Sequence, residues 1–161
     1  MQHNEIGTQK DLVSYRINAA KEDLQSAKIL RDAKSFKGAN NRAYYAVFHA
    51  INAIHSLNGA AYKRHKDVIA NFNKEYVKTG IFPRKIGRKI SGVEEIRHAS
   101  DYDDFYIATK EEADEQIAIA EEFIQMVEDY CKKQDNKEES KRIATGSHPE
   151  PAAMYYENSE M

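Results

Sequence analysis

Apolar residues recur at steps of three and four through most of the chain, the spacing that lines one face of an α-helix. Val13, Ile17, Ala20, Leu24, Ala27 and Leu30 mark a first helix over about 9–34. A second, about 38–57, carries Tyr44, Val47, Phe48, Ile51, Ile54 and His55 within roughly 120° of arc and stops at an Asn-Gly pair, where Gly59 suits a left-handed position after a helix end. A third, His65 to Thr79, would bury Val68, Ile69, Phe72 and Tyr76 before Gly80 and Pro83 close it. A fourth presents Ile86, Ile90, Val93 and Ile96, although Gly87 and Gly92 each weaken it by about 1 kcal/mol relative to alanine. Thr109 followed by Glu112 is a capping-box pattern that starts a fifth helix with Ala113, Ile117, Ala120, Ile124, Val127 and Cys131 on one stripe.

No segment alternates apolar and polar residues with period two, so the expected fold class is all-α, an up-and-down bundle of four to five helices over residues 9–133. From Gln134 the chain is polar and carries Pro149 and Pro151, so residues 134–161 read as a disordered tail, in which "AAMYY" could serve as a short docking segment.

With 161 residues, the chain suits one domain. Hydrophobic residues make up 41% and charged residues 31%, and no run approaches the ~18 apolar residues of a membrane span. The N-terminus lacks a basic stretch followed by an apolar one, and the single cysteine cannot form an internal disulfide, so a cytoplasmic location is expected. A net charge of -2 neither favours nor excludes nucleic acid. Locally, Arg84, Lys85, Arg88 and Lys89 form a basic cluster that could face phosphates or simply be solvated.

Candidate chemistry concentrates on the second helix. Opposite its apolar arc lie Arg42, Ala46, His49, Ala53 and Ser56, with Arg42 and His49 seven positions apart and so about 20° out of register. One reading makes Arg42 the partner of a carboxylate on a neighbouring helix and His49 a satisfied, half-buried histidine. The other makes them a site: a histidine can move a proton from an RNA 2'-hydroxyl or to a leaving oxygen, and an arginine can stabilise charge at phosphorus. On the fourth helix Arg97 and Asp101 stand at i and i+4 and could form an ordinary surface pair. Alternatively, Arg97, His98 and Tyr102 join Arg42 and His49 in a basic, aromatic cleft between helices two and four.

Arg42, His49 and Arg97 are therefore candidates for catalysis, and Tyr45, His98, Asp101, Tyr102, Arg88 and Lys89 for contact with RNA or a nucleotide. Glu95 and His98 have the Glu-x-x-His spacing of a di-iron bundle, but that arrangement needs two such motifs, so no metal site is expected. Phosphate-loop, dinucleotide and serine-nucleophile motifs are absent, and no cofactor is expected.

The blocks "KEDLQSAKILRDAKSFKGANNRAYYAVFHAINAI", "RHKDVIANFNKEYVKTG", "EEIRHASDYDDF" and "TKEEADEQIAIAEEFI" resemble the HEPN superfamily, in its small stand-alone bacterial and archaeal, UPF0332-like branch. The resemblance covers about residues 12–131 and is most specific in "NRAYYAVFHA". It implies a helical bundle that commonly forms a homodimer, and a toxin-like or defence-linked protein that acts on RNA as a metal-independent endoribonuclease. It equally admits a non-catalytic partner that binds a nucleotidyltransferase, an antitoxin or another protein, with a motif tyrosine such as Tyr102 open to modification. The ribonuclease members carry Arg, then four to six residues, then His on the late helix. Here the positions after Arg97 read Tyr102, Asp103, Asp104, with His98 beside the arginine, and Arg42 and His49 meet the spacing on the second helix instead.

Overall fold

The computed structural model describes residues 8–146. Five helices follow one another: α1 Gln9–Asp32, α2 Phe36–Leu57, α3 His65–Phe72, α4 Arg84–Tyr102 and α5 Lys110–Thr145. A π-helical turn, Asn73–Val77, continues α3. No strand occurs among the described residues, as the spacing predicts.

Each helix starts and stops for a local reason. The Thr8 hydroxyl accepts from the Asp11 amide while the Asp11 carboxylate accepts from the Thr8 amide, a closed capping box for α1. Gly59 takes φ +73° just past α2, the backbone conformation a side chain disfavours. Thr109 caps α5 through the Glu112 amide, but the reciprocal half of the expected box is missing. The Glu112 carboxylate instead accepts from Asn40 on α2, at 3.0 Å, and from the Tyr106 hydroxyl, pinning the connection between α4 and α5 to the bundle.

The centre of the molecule is α2, packed by α1, α3, α4 and α5. Val47, Ile51, Ile54 and His55 are buried, as their arc predicts, and His55 donates from Nε2 to the Val68 carbonyl at 2.9 Å. The side expected to be open is also buried: Ala46, Ala53 and Ser56 face inward, alongside Ala39, Ala43 and Ala50. Alanines let α1, with its own buried Ala20 and Ala27, approach closely, so a helix with two apolar faces is covered on both. Between Ala39 and Ser56, a stripe of α2 remains partly exposed, comprising Asn41, Arg42, Tyr45, Phe48, His49 and Asn52.

Phe72, Phe82 and Phe123 pack edge to face or tilted at centroid distances of 5.4–6.0 Å and close the far end of the core with Tyr76 and Tyr130. The π turn carries Tyr76 and Val77, both buried. Val77 meets α4 at Gly87, where a Cβ would come within 3.0 Å of its Cγ1. The α5 helix continues past Lys133, the expected end of the bundle, to Thr145, although its last buried residue is Cys131. The rest of the expected tail, including "AAMYY", lies outside the described residues. None of the described helices is long and apolar enough to cross a membrane.

Candidate functional site

The exposed stripe of α2 runs between α1 on one side and α3 and α4 on the other, and side chains from all of them converge on it. Asp23 of α1 reaches across with both oxygens: Oδ1 accepts from Arg42 Nη1 at 3.0 Å, and Oδ2 lies 3.2 Å from His49 Nε2. Arg42 and His49 are thus partnered and only about a third exposed, as the structural reading of the sequence anticipates, yet each keeps an edge toward solvent. Burial lowers the pKa of His49, Asp23 opposes that shift, and the Arg16 and Arg42 guanidiniums reinforce it. Arg16, also on α1, has a buried Nε without a hydrogen-bond partner among the described residues.

From the other side, Arg97 of α4 lies 4.4 Å over the Tyr44 ring and 5.7 Å from that of Tyr45. Arg42 covers the same Tyr45 ring at 4.8 Å, so two guanidiniums share one aromatic face pair. They are also linked through polar groups. Arg42 donates to Asn41 Oδ1 through Nε and Nη2, Asn41 donates to the Asp101 carboxylate at 2.9 Å, and Asp101 pairs with Arg97 at 3.6 Å. Asp101 is therefore part of a bridge between α2 and α4 as well as the i+4 partner of Arg97.

The structure brings Arg42, Tyr45, His49, Arg97 and Asp101 together and leaves the other candidates elsewhere. His98 and Tyr102 pair with each other at a centroid distance of 4.9 Å. They stand roughly 100° or more around α4 from Arg97, so the cleft expected to include them does not. Lys89 pairs with Glu122 of α5 at 3.0 Å, and Arg88 and Lys89 line a groove between α4 and α5, about 180° and about 80° around the helix from Arg97. Glu95 is exposed and joins no cluster of three or more candidate metal ligands among the described residues.

Two members of the cluster have no signature in the sequence pattern. Asp23 is one charged residue among many on α1, marked only by its register with Arg16. His65, the first residue of α3, places its ring 4.1 Å from Phe48 and its Nδ1 3.1 Å from the Tyr44 hydroxyl. Its pKa is lowered by burial, then by Arg97 and His49.

Chemically, the arrangement offers guanidiniums that can bind a phosphate, an aromatic ring on which a base can stack, and two imidazoles able to exchange protons.

Comparison with known proteins agrees with this architecture. The family model for the HEPN domain matches residues 13–130. A "UPF0332 protein" from Thermotoga maritima is 31% identical over 123 residues, 76% of this chain and 93% of that protein. "Putative toxin MJ0605" from Methanocaldococcus jannaschii is 35% identical over 111 residues, 69% of this chain and 82% of its own length. Among solved structures, TT1696 from Thermus thermophilus shares the fold with a TM-score of 0.63 at 17% identity, over 73% of this chain and 96% of that one. ST0689, described as an archaeal HEPN homologue, does so with a TM-score of 0.60 at 18% identity and the same coverage. By the match along most of its length and by its fold, the chain belongs to the HEPN domain family.

Proposed function

We propose that this HEPN protein is a toxin-like component that binds RNA along the α2 stripe and cleaves it without a divalent cation. One observation carries the reading: Arg42 and Arg97 share the Tyr45 ring directly beside a histidine held by a carboxylate. RNA self-cleavage joins the 2'-oxygen to the adjacent phosphorus and breaks the bond to the 5'-oxygen, so charge builds on the phosphate oxygens and the leaving oxygen needs a proton. Arg97 and Arg42 supply the positive field for that charge. In its protonated form, which Asp23 at Nε2 favours against burial and the neighbouring guanidiniums, His49 delivers the proton on Nδ1 to the leaving oxygen. The relative from Methanocaldococcus jannaschii with "toxin" in its name supports the toxin-like part of the reading.

The test is incubation of the purified protein with total cellular RNA in EDTA. Wild-type protein is expected to leave 2',3'-cyclic phosphate ends, and His49→Ala and Arg97→Ala to leave the RNA intact while remaining folded. Intact RNA with folded wild-type protein overturns the proposal.

A second reading is favoured by a different surface. The connection between α4 and α5 exposes Phe105 to 93% and Ile107 to 82%, next to Tyr102 at 68%. Such an apolar strip suits a protein partner, with Tyr102 accessible to a modifying nucleotidyltransferase. Under that reading no RNA is cut in the EDTA assay, and a partner is retained only while Phe105 and Ile107 are present.

A further inference from the structure

His65 lies across the α2 stripe from His49, and the same rings separate the two. The His65 centroid is 5.7 Å from Tyr45 and 4.1 Å from Phe48; that of His49 is 6.4 Å and 6.0 Å from those rings. One nitrogen of His65 is anchored: Nδ1 meets the hydroxyl of Tyr44, a buried residue whose ring carries Arg97. The other, Nε2, has no hydrogen-bond partner among the described residues, and it is not one of the buried unpaired atoms.

The two imidazoles differ in their immediate partners. His49 faces the Asp23 carboxylate, which favours a positive charge there, together with the Arg16 and Arg42 guanidiniums, which oppose it. Around His65 stand Tyr44, Tyr45, Phe48 and His49 from α2 and Arg97 from α4, while on its own element Lys66 adjoins it and Asp67 is paired with Arg64. Guanidiniums stand near both rings, but of the two only His49 has a carboxylate within hydrogen-bond distance among the described residues, which favours His49 as the group that carries a proton and His65 as the group that takes one up.

We propose that His65 is the general base of the RNA cleavage: its Nε2 takes the proton of the 2'-hydroxyl as the 2'-oxygen bonds to phosphorus. At the same time the bond from phosphorus to the 5'-oxygen breaks, and that oxygen receives the proton of His49. His65 gains one proton and His49 loses one, and exchange with water restores both. As His65 becomes positively charged, Tyr44 accepts a hydrogen bond from its Nδ1 and holds the ring in place. This role rests on the RNA-cleavage reading above.

The test measures cleavage of one defined RNA against pH by the full chain and by His65→Gln, together with binding of a 2'-deoxy analogue that cannot be cut. Glutamine keeps the size and a polar end toward Tyr44 but takes up no proton. Loss of about 100-fold or more in rate, with unchanged affinity for the analogue and without the acidic limb of the pH profile, is the expected result. A rate within about threefold of wild type, or a slower variant that keeps the acidic limb, overturns the proposal and leaves His65 a packing residue. A wild-type protein that cuts no RNA at any pH instead overturns the cleavage reading itself, and this role with it.

Discussion

Replacing Asp23 with asparagine removes one negative charge from between a guanidinium and an imidazole while changing the shape of the side chain very little. In the native protein Asp23 accepts from Arg42 at 3.0 Å and faces His49 at 3.2 Å, with only 15% of its side chain exposed. Hydrogen bonds to charged groups contribute about 1.5–3 kcal/mol, whereas freely exposed ion pairs contribute less than ~1 kcal/mol. Both partners are about a third exposed, and an asparagine oxygen can still accept from Arg42, which also keeps its bonds to Asn41. The expected loss is therefore about 1–2 kcal/mol, or a fall of roughly 3–6 °C in Tm for a domain of this size. Thermal unfolding followed by circular dichroism reads the first effect. Cleavage reads the second: without the carboxylate, His49 holds its proton less well, so the alkaline limb of the rate profile moves to lower pH and the rate at neutral pH falls about tenfold or more. An Asp23→Asn protein that melts with the wild type and keeps its alkaline limb would show that Asp23 supports neither the fold nor His49.

The two helical glycines of α4 should respond oppositely to alanine. At Gly92 a Cβ meets nothing within 4 Å, so Gly92→Ala gains about 1 kcal/mol by urea denaturation; Gly87→Ala, which presses on Val77 at 3.0 Å, forfeits that gain or loses stability. His55 is buried, and burial lowers its folded pKa below the unfolded value of about 6.5. The unfolded chain then binds the extra proton first, so this contribution to stability is complete above about pH 6.5 and is lost as pH falls from there toward the folded pKa. Urea midpoints at about pH 7.5 and about pH 5 check the sign, and a higher midpoint at the acidic value contradicts it. Lys89→Ala removes an exposed pair with Glu122 in the groove toward α5, away from the candidate site, so both Tm and RNA cleavage should stay close to wild type, with a change below about 0.5 kcal/mol.

The helices are legible in the sequence because their buried residues are large and regularly spaced; all six stripe residues of α5, from Ala113 to Cys131, are buried as the spacing requires. What escapes is decided by tertiary contact. The second buried face of α2 is built of alanines, too small to register as a stripe, and its depth depends on the alanines of α1. Glu112 fits a local cap, but Asn40 and Tyr106 compete for its carboxylate and win. The π turn after Phe72 has no local marker, and Val77, which it carries, packs against Gly87 of α4. Beyond Gln134 there is no apolar face at all, and helix there is supported by pairs of Arg142 with Glu138 and Glu139 and ended by Gly146 at φ +70°. Within the site, Arg42, His49 and Arg97 stand out by residue type and spacing, whereas Asp23 and His65 acquire meaning only when α1 and α3 are laid against α2.

Because α2 is enclosed by four other helices, its backbone amides have no partial opening that would expose them. Local fraying can release the end of α5, but freeing the centre of α2 requires α1, α4 and α5 to leave together. Its hydrogen exchange should therefore track global unfolding, while the amides near Thr145 exchange many times faster. The side chains of the candidate site come from α1, α2, α3 and α4, so they share this all-or-none character. A nascent or half-unfolded chain has no partial version of the cluster, and the constellation comes into being only with the completed bundle.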